Sequence, residues 1–202
     1  MNTTSLSENT VKRDPIEQFI LWFNMAKDIK LPYNNAMNLS TVAENGRPSG
    51  RIVLLKDVDQ KGFKFFTNYN SRKSKELDNN PYASITIFWL GLEKQVRVEG
   101  KVHRLSDEQS DKYFSMRPRG SQIGAWASNQ SSVLKDRAEL DQKMEEYTNQ
   151  FDGKDVPRPL HWGGYCLVPD KIEFWDNVPN RLHDRLVFSL VNGDWKMERL
   201  AP

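Results

Sequence analysis

Ile16, Phe19, Ile20 and Phe23 fall on one face of a helix, and Asp14-Pro15-Ile16-Glu17 ahead of them offers an N-cap, a proline at the first helical position and a glutamate to close a capping box. From Ala36 the period shortens to that of strands. Alternating apolar runs between turn residues predict strands over 36–43, 49–56 and 63–67, joined through Asn45-Gly46 and Lys61-Gly62. Residues 71–77 predict a short helix ended by Asn79-Asn80-Pro81, and 82–89 and 95–103 predict two further strands. Ser106 is placed to cap a helix reaching Phe114, and 136–151 reads as a strongly charged helix. Beyond Pro157 and Pro159, strands are predicted over 163–167, 171–175 and 181–190, and Asn192-Gly193 turns into a last one over 195–200. Seven or more short strands with inserted helices predict a mainly β chain of the α+β type, closed as an antiparallel barrel. Residues 1–13 hold too few apolar positions to order themselves and read as a flexible tail or a segment that folds over something else, leaving 14–202 as a single domain.

The length of 202 residues is enough for one domain with a substantial core. With 29 basic against 27 acidic residues, the net charge of +2 gives no reason to expect nucleic-acid or membrane attraction. Cys166 is the single cysteine, so an intrachain disulfide is excluded and a reducing compartment is expected. No apolar run approaches a membrane span, and residues 1–12 lack the hydrophobic centre of a signal peptide, so the expectation is a soluble, cytoplasmic protein. The three histidines are dispersed without a His-Glu-x-x-His spacing, so no metal site is expected. Glycine-rich dinucleotide and triphosphate loops and a nucleophile elbow are also missing from the sequence.

Four stretches carry candidate chemistry. If 181–190 is a regular strand, Arg181, His183 and Arg185 share one face at a spacing of roughly 7 Å. Such a face suits an anionic ligand, or else a solvated edge strand whose charges deter aggregation. Arg51-Ile52-Val53-Leu54-Leu55-Lys56 is an apolar run with a cation at each end, which strict alternation places on opposite faces. Ser71-Arg72-Lys73 opens a helix, where free N–H groups and two cations favour a phosphate, though a solvated helix start is commoner. Residues 113–131 gather Tyr113, Arg117, Ser121, Gln130 and Ser131 in a segment read as irregular, a set fitting either a phosphate monoester or a basic turn. Gln95, between buried valines, reads as an ordinary exposed strand residue.

Glu173-Phe174-Trp175 followed by Arg181-Leu182-His183-Asp184-Arg185, together with the terminal Arg199-Leu200-Ala201-Pro202, resembles the signature of the pyridoxamine 5′-phosphate oxidases, and the similarity runs from about Asp14 to the C-terminus. The resemblance implies a split β-barrel homodimer with flavin mononucleotide (FMN) at the subunit interface. It implies oxidation of pyridoxine 5′-phosphate or pyridoxamine 5′-phosphate to pyridoxal 5′-phosphate, with O2 as acceptor giving hydrogen peroxide and, from the amine, ammonia. Residue by residue, it assigns the substrate phosphate to Lys56, Tyr113, Arg117 and Ser121, and the substrate ring to Arg181, Leu182 and His183, with Arg181 and His183 catalytic. It assigns the flavin to Arg51, Ile52, Val53, Leu54, Leu55 and Lys56, to Phe66, Thr67, Arg72 and Lys73, and to Gln95, Gln130, Ser131, Trp175 and Arg185. Two departures stand out. Asp176-Asn177 replaces the Gln-Gly of most relatives, adding a carboxylate beside Trp175, and the basic and aromatic residues that many relatives fold over the substrate have no match near the N-terminus. A split-barrel protein that binds flavin or pyridoxal phosphate without turnover, and a nicotinamide-fed flavin reductase, are the alternatives.

Overall fold

The computed structural model describes residues 5–202. Its first helix, α1 (Pro15–Asp28), begins where the sequence places it, with the Asp14 carboxylate accepting the N–H groups of Ile16 at 2.7 Å and Glu17 at 3.3 Å. The return bond expected from Glu17 does not form. A full capping box closes instead on α3 (Asp107–Ser115), between Ser106 and Gln109.

The strands are β1 (Ala36–Val42), β2 (Pro48–Leu54), β3 (Asp57–Asp59), β4 (Gly62–Asn68), β5 (Tyr82–Trp89), β6 (Lys94–Arg104), β7 (Trp162–Asp176), β8 (Asp184–Val191) and β9 (Asp194–Arg199). They form one antiparallel sheet in the order β2-β1-β5-β6-β7-β4-β3, with β8 on β7 and β9 on β8. The long β7 is the spine. Its first part pairs with β4 and its last with β8, while β6 runs along its other edge, so the sheet curls into a split half-barrel. The remaining helices are α2 (Arg72–Asn79), α4 (Arg119–Ala127) and α5 (Arg137–Gln150).

The apolar stripe of α1 fills the curl. Phe19 and Trp22 meet Phe63 and Phe174 edge-on, with ring centroids 4.8 Å and 5.2 Å apart, and Phe23 stacks on Trp89. A satellite cluster of Phe114, Ile123, Phe151, Val156 and Trp162 joins α3, α4 and α5 beside the main core. Among the described residues no helix is long and apolar enough to cross a membrane.

Several elements differ from the sequence-based expectation. Residues 163–167 and 171–175, expected as two strands, are one, because the residues between them form a bulge, with Asp170 the extra residue, that stays paired to the neighbouring strand. Pro169 pairs with Gly100 of β6 just past the register shift, and a side chain on Gly100 would sit 2.0 Å from the Val168 carbonyl oxygen. The irregular segment expected over 113–131 contains α4. Gly120 and Gly124 lower its intrinsic preference for helix, and burial of Ile123, Ala125 and Ala127 overrides that preference. The strand expected from Arg181 begins at Asp184, because Asn180 and Arg181 both adopt left-handed backbone angles (φ 62° and 60°) that no strand can hold. Lys56, expected at the end of a strand, lies beyond β2. Of the residues read as a polar tail, Leu6 and Val11 are buried in the main core.

Candidate functional site

A cavity of about 970 Å³ opens between the outer face of β2, the end of β4, the start of α2, and the α3–α4 segment. Arg51, Ile52, Val53, Leu54, Lys56, Phe66, Thr67, Arg72, Lys73, Tyr113, Arg117, Ser121, Gln130 and Ser131 all line it. Arg51 and Lys56 thus share one cavity rather than opposite faces, since the chain leaves the strand after Leu54. Leu55 does not line it; its side chain is buried in the core.

One end of the cavity is built on the start of α2. Lys73 is only 8% exposed, and its ammonium donates to Thr67 Oγ1 (2.9 Å), Ser71 Oγ (3.0 Å) and Gln130 Oε1 (2.9 Å). Burial, and then the nearby Arg51 charge, pushes its pKa down to about 8. Ser131, itself left-handed, turns its hydroxyl to accept the Arg72 N–H at 3.2 Å. Behind these cations stands Glu76, which sequence reasoning passed over although it lies four residues after Arg72 on one helix face. Its carboxylate takes Arg72 Nε at 2.8 Å, Arg51 Nη2 at 3.2 Å and the hydroxyl of Ser49 at 2.7 Å. Burial raises the Glu76 pKa, but bonds from Thr41, Ser49, Arg72 and Arg51 outweigh it and hold the group at about 2. Glu76 is therefore a fixed anion that aims two guanidinium groups.

The other end is aromatic. Phe66 stacks on Tyr113 at 3.9 Å, and Trp162, also missed in the sequence, continues the ladder at 6.2 Å from Tyr113. The Arg117 guanidinium lies 4.4 Å from the Trp162 ring centre. Its Nη1 is buried without a hydrogen-bond partner, and burial lowers its pKa against the opposing influence of Tyr113. A buried cation with an unused donor costs free energy unless a ligand meets it.

The remaining candidates do not line this cavity. Gln95, Trp175 and Arg185 are neighbours across β6, β7 and β8. Arg185 is paired with the buried Glu173 (2.9 Å), which also reaches Arg97 (3.4 Å), and the His183 ring lies 4.5 Å from that of Trp175. His183 Nδ1 accepts the Val178 N–H at 3.3 Å, so its neutral form carries the proton on Nε2. Arg181 and Leu182 are exposed, and the left-handed backbone at Arg181 costs about 1–2 kcal/mol. The carboxylate added beside Trp175 is not a free charge: Asp176 is buried against Lys94 at 2.6 Å.

One protomer thus presents two separate sets of candidate residues, a cation-lined cavity and an aromatic corner carrying Arg181 and His183. Residues 26–151 match the family described as Pyridoxamine 5′-phosphate oxidase, and residues 162–202 match the Pyridoxine 5′-phosphate oxidase C-terminal dimerisation region. The chain is 54% identical over 200 residues to the pyridoxine/pyridoxamine 5′-phosphate oxidase of Paraburkholderia phytofirmans, covering 98% of this chain and 93% of the relative. The enzyme of the same name from Cupriavidus necator is 54% identical over 199 residues, at 98% and 93% coverage. Among solved structures, PhzG from Burkholderia lata, in complex with tetrahydrophenazine-1-carboxylic acid, superposes with a TM-score of 0.92 at 30% identity and 98% coverage of both chains. A pyridoxamine 5′-phosphate oxidase-related, FMN-binding protein from Nostoc punctiforme shares the fold, with a TM-score of 0.74 at 15% identity over 95% of this chain and 100% of that one. With both segments matched and more than half of the residues shared over nearly its full length, this chain belongs to the pyridoxine/pyridoxamine 5′-phosphate oxidase family.

Proposed function

We propose that this protein is a cytoplasmic, homodimeric flavin oxidase that converts pyridoxamine 5′-phosphate and pyridoxine 5′-phosphate to pyridoxal 5′-phosphate. The observation that carries this reading is the pair of cationic ends in one cavity, one at Arg51, Arg72 and Lys73 and the other at Lys56 and Arg117. Two phosphorylated compounds fit such a cavity better than one. The first end offers a buried ammonium and a helix start with neutral donors around it, a set suited to the FMN phosphate. The second offers the unused Arg117 donor, Lys56, and the Tyr113 and Ser121 hydroxyls, a set suited to the substrate phosphate.

When bound, FMN supplies the hydride acceptor and passes the electrons on to O2, yielding hydrogen peroxide. The residues of the chain bind and orient. Gln95, Trp175 and Arg185 would hold the flavin from the aromatic corner, while Arg181 and His183 would set the substrate ring for hydride loss from its 4′ carbon. The His183 ring, with its proton on Nε2, can donate a hydrogen bond from that atom, and Arg181 can stabilise developing negative charge. Because the corner does not line the cavity of its own protomer, it would complete the cavity of the partner. The matched dimerisation region, residues 162–202, contains every residue of the corner except Gln95.

The test is peroxide and pyridoxal 5′-phosphate formation in equal amounts when FMN-loaded protein is given pyridoxamine 5′-phosphate in air. Absence of both, with flavin bound, would leave a flavin carrier. A tricyclic carboxylic acid, the class of ligand held by the Burkholderia lata relative, is the discriminating second substrate. The unpaired Arg117 donor favours the phosphate.

A further inference from the structure

We propose that residues 5–11 are a brace that fixes the Arg181–His183 segment from both ends, with Glu8 a positioning residue for that segment. The segment joins β7 to β8 through Asn177–His183, and most of it is exposed. Its own support is thin: Asn177 N–H donates to the Glu93 carbonyl at 3.1 Å, Leu182 N–H to that of Pro179 at 3.4 Å, and Val178 N–H to His183 at 3.3 Å. Two consecutive left-handed residues, Asn180 and Arg181, persist only where the surroundings over-determine them.

The surroundings that do so are N-terminal. Upstream, Asp176 divides its carboxylate, Oδ1 to the buried Lys94 ammonium at 2.6 Å and Oδ2 to the Leu6 N–H at 3.3 Å. Downstream, Asp184 is held by Arg199 Nη1, whose Nε and Nη2 grip the two oxygens of Glu8, each at 2.8 Å. Leu6 and Val11, 4% and 8% exposed, root the brace in the main core. The two anchors therefore stand at residues 176 and 184, immediately outside the segment that presents Arg181 and His183. A bidentate guanidinium fork has a fixed geometry that a single ion pair lacks, so Glu8 sets where Arg199, and through it Asp184, comes to rest.

Any effect on turnover rests on the oxidase reading; the brace itself does not. Hydrogen–deuterium exchange of the full flavin-free chain therefore comes first, comparing wild type, Glu8→Gln and the control Glu198→Gln, which removes a carboxylate on the same strand as Arg199. Glu8→Gln is expected to speed exchange over 177–183 about five-fold while the amides of β6 and the rest of β7 keep wild-type rates, and Glu198→Gln to change neither. Unchanged rates over 177–183, acceleration confined to 5–13, or a uniform rise across the sheet would each overturn the proposal. In the oxidase assay, Glu8→Gln should lower kcat about five-fold at unchanged FMN affinity and melting temperature; unchanged kcat would overturn the positioning role. A local exchange response in a protein without turnover in any variant would sink the oxidase reading and leave the brace standing.

Discussion

Replacing Lys73 by methionine should weaken the protein's grip on FMN while leaving the stability of the flavin-free form at neutral pH nearly unchanged. The residue is 8% exposed and its pKa is pushed from 10.5 to about 8, a displacement equivalent to about 3 kcal/mol against the charged form. Methionine removes that penalty but also removes three hydrogen bonds, to Thr67, Ser71 and Gln130, each contributing about 1 kcal/mol. Thr67 and Gln130 still bond one another at 3.1 Å, as they do in the wild type, so the two contributions nearly cancel and the melting temperature of the flavin-free form should move by no more than about 2 °C. A charge-assisted contact to a phosphate contributes about 2–3 kcal/mol, so FMN affinity should fall about 30- to 150-fold. The pH dependence has a definite sign. Below pH 8 folded and unfolded chains both hold the proton and the wild type bears the full penalty. Between about 8 and 10.5 the unfolded chain holds more, so wild-type apo stability rises with pH and that of Lys73→Met does not. FMN binding by the wild type should weaken over the same range, as the ammonium must then be recharged. Flavin fluorescence titrations at pH 7 and 9, with melting of the flavin-free forms, measure both quantities. FMN affinity within two-fold of wild type at pH 7 would refute the placement of the phosphate at Lys73.

Arg117→Ala should raise KM for pyridoxamine 5′-phosphate about 10- to 100-fold, because it deletes the cation with the unused donor, while leaving activity on unphosphorylated pyridoxamine nearly unchanged; steady-state kinetics on the two amines decide this. Lys73→Met and Arg181→Ala proteins, each poor in turnover as homodimers, should regain about a quarter of wild-type activity when co-expressed, since half of the dimers are mixed and each mixed dimer has one intact composite site. No recovery would place Arg181 in the cavity of its own chain. Gly164→Ala should cut FMN content and stability together, because a side chain there would lie 2.7 Å from the Phe66 ring that stacks on Tyr113; absorbance per protomer and thermal melting report both.

Legibility in the sequence followed the range of the interactions. Strands with regular alternation and strong turn signals were readable to within a residue or two, as over 82–89, because burial on one face writes itself into the local pattern. Elements decided by distant contacts were not. Helix α4 depends on its packing against α5 and Phe114, the continuity of β7 depends on a bulge at Asp170 that Gly100 of β6 makes room for, and the left-handed turn at Arg181 depends on its anchors. The cationic residues of the cavity could be picked from sequence since each sits in a chemically unusual run. Glu76 and Trp162 could not, for a carboxylate on an amphipathic helix and a tryptophan entering a strand are ordinary until the fold sets them against Arg51 and Arg117. The carboxylate of Asp176, alarming beside a flavin contact when read alone, is matched by Lys94 from the adjacent strand.

The most direct measurement is the absorption spectrum of FMN-loaded protein mixed anaerobically with pyridoxamine 5′-phosphate. Loss of the yellow flavin band, with its return on admitting air, is the predicted result. A protein that takes up no flavin, or whose bound flavin keeps its colour with excess substrate, would contradict a cavity built for two phosphorylated rings.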